Sequence, residues 1–147
     1  MNYTKTGSPS ETINMNTAVF KIKDAGKSSK NTNHSNGGLS VVIPVFNSEG
    51  IILELHKRLS KELNSLVRDY EIIFVNDGSP DNIWTKIQTL AGVDSHVKAI
   101  SLRRNFGYDC AIMAGLNYVN YPYVVIMDDD LQHAPEDIPR LLAEIEE

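Results

Sequence analysis

The pattern of apolar and polar positions changes abruptly at Leu39. Upstream, residues 1–38 are rich in Ser, Thr, Asn, Gly and Lys and hold no sustained apolar period, apart from the short Ala18-Val19-Phe20 patch. A segment of that kind buries too little surface to offset the entropy of ordering it, so a disordered tail is expected. Downstream, short β-branched runs alternate with helical stretches. This alternation predicts one α/β domain over residues 39–147 with a mainly parallel sheet.

Leu39–Val45 is a near-continuous apolar run, as expected of a strand covered on both faces. Asn47 or Ser48 can cap the helix that follows, in which Ile52, Leu55, Leu59, Leu63 and Leu66 recur at helical spacing. Glu71–Asn76 reads as a second strand, and a helix starting near Pro80–Asn82 carries Ile83, Ile87 and Leu90 on one face. Val97–Leu102 is the third predicted strand. A helix from Phe106 to about Val119 follows, where Ala111, Ala114 and Gly115 permit close approach to the sheet. Tyr123–Met127 is the fourth strand. Pro135 suits the first turn of a last helix, with Glu136 and Asp137 near its positive end. Four βα units in sequence are the skeleton of a doubly wound, Rossmann-like sheet.

In such sheets ligands bind beyond the carboxyl ends of the strands, where strand order reverses. The chemically loaded residues fall there. Pro44, Phe46, Asn47 and Glu49 follow the first strand; Asn76, Asp77, Gly78, Ser79 and Asp81 follow the second; Arg103, Arg104 and Asn105 follow the third. Asp128-Asp129-Asp130, Gln132 and His133 follow the fourth. Two like charges about 4 Å apart repel by roughly 4 kcal/mol at an effective dielectric near 20. A triple carboxylate ending a buried strand therefore favours a cation, and hard ions such as Mg²⁺ or Mn²⁺ prefer oxygen ligands. The plainer alternative is a solvated acidic loop capping the next helix. Asp77 is either a nucleobase or ribose acceptor or a turn residue, and Phe46 either lines a base or fills the core. Arg103 and Arg104 are either phosphate ligands or a surface pair. His133 reads as a helix-entry residue rather than a ligand, Cys110 as a buried small hydrophobe and Trp84 as a packing residue rather than a sugar platform.

Composition narrows the partners. The chain has 147 residues and a net charge of −5, but five lysines against Glu11 and Asp24 make residues 1–38 carry +3, leaving −8 for the rest. An acidic body argues against nucleic acid as a partner. Lys21, Lys23, Lys27 and Lys30 in the tail either touch anionic lipid or belong to a solvated linker. A single cysteine permits no internal disulfide and no Cys-rich zinc site. The chain has no run long enough to cross a bilayer and no apolar core of a secretory signal at its start, so it is expected to be soluble or held to a membrane by something outside it. No Gly-x-Gly-x-x-Gly follows the first strand and no Gly-x-x-x-x-Gly-Lys-Ser/Thr loop occurs, which argues against dinucleotide oxidoreductases and P-loop enzymes.

Five blocks in order resemble the family 2 glycosyltransferases of GT-A fold, and among them the polyprenyl-phosphate glycosyltransferases such as dolichyl-phosphate mannose synthase. They are Val41–Glu49, Val75–Asp81, Arg104-Asn105-Phe106-Gly107, Ala114-Gly115-Leu116 and Asp128–Glu136. The resemblance implies an inverting transfer of a sugar from a nucleotide donor, a UDP-sugar first and GDP-mannose second, to a polyprenyl phosphate, assisted by Mg²⁺ or Mn²⁺. It implies that Pro44, Phe46 and Glu49 lie at the nucleotide pocket and that Asp77 binds base or ribose. Asp128 and Asp130 match the Asp-x-Asp pair that grips ribose and metal and carries catalysis, and Arg104 matches a donor- or phosphate-binding position. Asp129 departs from the small residue usual between the pair, and its role is open.

Family members continue past the helix in which this chain stops. The resemblance thus implies a donor-binding half at the cytoplasmic face of a membrane, with little to hold the acceptor and an open edge near the apolar Val124–Met127 stretch. The alternative is a truncated, catalytically inactive nucleotide-binding or interaction module.

Overall fold

The computed structural model describes residues 17–22, 37–66 and 68–147. Its five-stranded sheet is built from β1 (Ala18–Lys21), β2 (Leu39–Val45), β3 (Tyr70–Asn76), β4 (Val97–Ser101) and β5 (Tyr123–Ile126) in the spatial order β1-β5-β2-β3-β4. β2, β3, β4 and β5 run parallel, and β1 pairs antiparallel with β5. The helices are α1 (Ile52–Ser65), α2 (Ile83–Val93), α3 (Tyr108–Leu116) and α4 (Ile138–Glu146), the last entered through a 3₁₀ turn at Pro135–Asp137. This is the doubly wound α/β architecture that the alternating pattern predicts.

Strand alternation assigns the two faces. Leu39, Val41, Ile43 and Val45 of β2, with Tyr70, Ile72 and Phe74 of β3, pack on one face against α1, α2 and α4. Val42, Ile73, Val75 and Val124 point the other way, against Ala111 of α3. Every residue of β2 and β3 is buried, which explains their near-continuous apolar runs. Gly115 brings α3 down onto the sheet, since a Cβ there would lie 2.5 Å from Val42 Cγ1 and 3.1 Å from Val75 Cγ2.

The expected cap on α1 is absent. Ile51 occupies its N-cap, with no side-chain hydrogen bond, because Ser48 and the Asn47 backbone are engaged elsewhere. The helix forms on its buried stripe instead. Burying each of Ile52, Leu55, Leu59 and Leu63 contributes about 1.5–3 kcal/mol, which outweighs a cap worth about 1 kcal/mol. α3 starts at Tyr108 rather than at Phe106, because Gly107 is held at φ 98 and ψ 161, outside the helical region.

Residues 17–22 depart from the disordered tail expected over 1–38. Val19 joins the core on the α1 face and Phe20 the core on the α3 face, so even this short patch alternates as a strand should. β1 covers the edge of β5 that was expected to stand open, meeting backbone groups that would otherwise lack sheet partners. Lys21 sits 5.1 Å from the Tyr123 ring centroid. Lys23, Lys27 and Lys30 lie outside the described residues.

Candidate functional site

β2 pairs with β3 on one side and with β5 on the other, so chain order reverses between β2 and β5. A cavity of about 710 Å³ opens beyond their carboxyl ends, lined by Pro44, Val45 and Phe46 from one strand tip and by Ile126 and Asp128–Asp130 from the other. Asp77, Asn105, Gly107, Tyr108, Ile112 and Ala18 complete its wall. Its size suits a nucleotide-sized ligand. Among the described residues, the wall holds four carboxylates and no lysine or arginine.

Each carboxylate is placed by a different loop. Asp77 follows β3 and is 4% exposed. One of its oxygens accepts the Phe106 N–H at 2.8 Å and the other the Gly107 N–H at 3.1 Å, which latches the β4–α3 loop onto β3. Gly78 makes this approach possible. At φ 65 it lies in the left-handed region, and a Cβ there would fall 2.3 Å from the Arg104 carbonyl carbon.

The three consecutive aspartates divide the work. Asp128 accepts a 2.6 Å bond from the Tyr108 hydroxyl, and burial together with that bond raises the Tyr108 phenol above its ordinary value. Asp129 turns back to accept the Phe46 N–H at 3.0 Å and the Ser48 hydroxyl, joining the β2–α1 loop to the β5 tip. Burial raises its carboxyl although those two bonds oppose the rise. The middle aspartate thus acts as a clamp. Asp130 is exposed and accepts the Gln132 N–H at 3.0 Å.

Leu131 adopts φ 60, uncommon for a residue other than glycine. His133 follows as a buried side chain, although the sequence marks it only as a helix-entry residue. Its Nδ1 lies 3.8 Å from Asp128 Oδ2, and neither ring nitrogen has a hydrogen-bond partner. Asp128, Asp130 and His133 each offer one ligand atom within 4.8 Å of the others. A buried polar group left unsatisfied costs about 1–3 kcal/mol. Sequence pattern missed it because nothing local to His133 shows that Asp128, five positions earlier, lies beside its ring.

Two expected site residues stand elsewhere. Glu49 does not line the cavity: its carboxylate accepts the Asn82 N–H at 3.1 Å and pairs with Lys86 at 3.6 Å. In return the Glu49 N–H donates to Asp81 at 3.0 Å, so this reciprocal pair zips two loops together. Arg104 lies outside the wall too, its guanidinium 4.6 Å from the Phe106 ring centroid. Pro44, Phe46, Asp77, Asp128 and Asp130 all line the cavity, and Phe46 is exposed rather than in the core. Cys110 is exposed on α3 rather than buried, and Trp84 packs against the core.

No helix among the described residues is long and apolar enough to cross a membrane. The model of the family described as Glycosyl transferase family 2 matches residues 40–147. The undecaprenyl-phosphate 4-deoxy-4-formamido-L-arabinose transferase of Proteus mirabilis (strain HI4320) is 46% identical over 110 residues, covering 74% of this chain and 34% of that protein. Among solved structures, the mannosyltransferase PcManGT from Pyrobaculum calidifontis in complex with GDP-Man and Mn²⁺ aligns with TM-score 0.58 and 20% identity, over 64% of this chain and 28% of that one. TarS 1–349 of S. aureus, also solved with UDP, aligns with TM-score 0.57 and 22% identity, over 74% of this chain and 32% of that one. At that identity the structural likenesses show the fold, and the chain spans about a third of the length of its relatives. With the family model matched from the second residue of β2 to Glu147, the chain belongs to glycosyl transferase family 2.

Proposed function

We propose that residues 39–147 form the donor-binding part of a glycosyltransferase that moves a sugar from a nucleotide to a polyprenyl phosphate with inversion. A UDP-sugar is the preferred donor and GDP-mannose the second. The observation that carries this reading is the composition of the cavity wall, which among the described residues combines an exposed aromatic, four carboxylates and no basic side chain at the strand-order reversal. A diphosphate entering alone would meet like charge. Asp128 and Asp130 place oxygen donors close enough together to share one divalent cation, so the residues present fit Mg²⁺ or Mn²⁺. Such an ion, when bound, stabilises negative charge on a departing diphosphate.

The protein groups then have distinct tasks. Phe46 and Pro44 offer an apolar wall for the base, and the Asp77 edge faces base or ribose. Asp128, oriented by Tyr108, and Asp130 hold the cation. The acceptor phosphate is already anionic, so the reaction relies on alignment of acceptor and donor more than on a strong general base. The relative's name supports the acceptor class, since that protein is called an undecaprenyl-phosphate transferase.

Titrating UDP, UDP-sugars and GDP-mannose with and without Mn²⁺ tests the reading. Binding is expected to require the metal and to weaken strongly in Asp130→Asn. Binding indifferent to both would sink it. The chain's span, 34% of the curated relative, favours a second reading in which these 147 residues bind nucleotide without turnover. Sugar transfer to a short polyprenyl phosphate by the chain alone would remove that reading.

A further inference from the structure

We propose that His133 is a third protein ligand to the cation, and that its nitrogen makes the site rank Mn²⁺ above Mg²⁺. This rests on the donor-site reading above and adds to it a ligand and a metal preference. The observation is independent of the acidic cluster. His133 is 5% exposed, and among the described residues neither of its ring nitrogens has a hydrogen-bond partner. Buried polar side chains are nearly always satisfied, so one left bare beside two carboxylates calls for a partner. Its Nδ1 is 3.8 Å from Asp128 Oδ2, too far for a hydrogen bond but suited to two ligands meeting at one ion. Asp130 completes the set within the same 4.8 Å.

The other described histidines are engaged differently. His56 and His96 both bond to Asp94, at 2.8 Å and 2.9 Å, and neither lines this wall. His133 alone among them faces the aspartates at the β5 tip.

The ligand types set the preference. Two carboxylate oxygens serve Mg²⁺ and Mn²⁺ alike. An imidazole nitrogen adds more for a transition ion than for Mg²⁺, which favours all-oxygen octahedra and keeps its waters. A site of two oxygens and one nitrogen should therefore separate ions that the oxygens alone would not.

The experiment uses the full 147-residue chain. Mn²⁺ is the probe, with and without UDP, followed by pulsed electron paramagnetic resonance on protein carrying ¹⁵N-histidine. Wild type is expected to show a nitrogen coupling that shifts with the isotope. His133→Leu, which keeps the packing volume, and His133→Asn, which keeps a polar group, are expected to lose that coupling. Both should bind Mn²⁺ about tenfold or more weakly, on the scale of losses seen when metal-site residues are changed. The Mg²⁺ concentration needed for half-displacement should fall with them.

Absence of the coupling in wild type overturns the proposal whether or not the variants fold. An unchanged Mn²⁺ to Mg²⁺ ratio in a folded variant overturns it as well. Should Asp130→Asn abolish Mn²⁺ binding while both His133 variants bind normally, the donor-site reading stands and the histidine assignment falls. If Asp130→Asn also binds normally, the donor-site reading falls first.

Discussion

Asp77→Asn separates the two tasks that the site gives this residue. The carboxylate is buried and bonds two backbone N–H groups, at 2.8 Å to Phe106 and 3.1 Å to Gly107. Hydrogen bonds to a charged group contribute about 1.5–3 kcal/mol each, and a buried N–H left facing another donor costs about 1–3 kcal/mol. An asparagine keeps one acceptor oxygen and turns an NH₂ toward the second donor. The expected loss is about 2–4 kcal/mol, a large part of a stability that typically lies near 5–15 kcal/mol. Urea unfolding followed at Trp84, the single tryptophan, measures it. Amide exchange supplies the local readout: the Phe106 and Gly107 N–H groups should lose protection before the β2 and β3 ladder does. UDP affinity should fall with them, because Asn105 and Gly107 of the released loop, and Tyr108 that follows it at the start of α3, all line the cavity. A loss below about 0.5 kcal/mol with both amides still protected would show that Asp77 is not the latch.

Gly78→Ala should be more damaging than an ordinary turn substitution. A left-handed alanine costs about 1–2 kcal/mol, and the 2.3 Å approach to the Arg104 backbone must be relieved by moving the loop. Unfolding midpoints check it, and a wild-type midpoint would contradict it. Gly115→Ala should destabilise by about 1–3 kcal/mol through contact with Val42 and Val75, and a double change to Val42→Ala should recover part of that loss in the same assay. In acid, Asp94 should matter. Burial pushes its carboxyl up, but the His96 N–H and the His56 and His96 rings outweigh that and hold it below its ordinary value of 3.8. A depressed folded value means a stabilising contribution present above 3.8 and lost as pH falls through the lowered value. The stability gap between wild type and Asp94→Asn should therefore close in acid, and a gap independent of pH would refute the assignment.

The parallel sheet and its loaded edge were legible because both depend on local pattern. β2 and β3 are apolar on both faces, and the residues that carry chemistry follow strand tips directly. What escaped depends on distant partners. β1 is four residues long and means nothing until β5, a hundred positions on, offers an edge. Ser48 is a good capping residue by type, yet it is drawn away to Asp129. Glu49 looks like a pocket residue from its motif, while the geometry gives it to the start of α2. His133 lies buried beside Asp128, a contact that its place before Pro135 does not advertise.

The most direct measurement is a crystal structure of the chain with UDP and Mn²⁺. The diphosphate should reach Asp128 and Asp130 through a shared cation, with the base against Phe46 and its polar edge or the ribose toward Asp77. Nucleotide bound at another face, or in the cavity with both aspartates free of the ion, would contradict the assignment of this wall as a metal-assisted donor site.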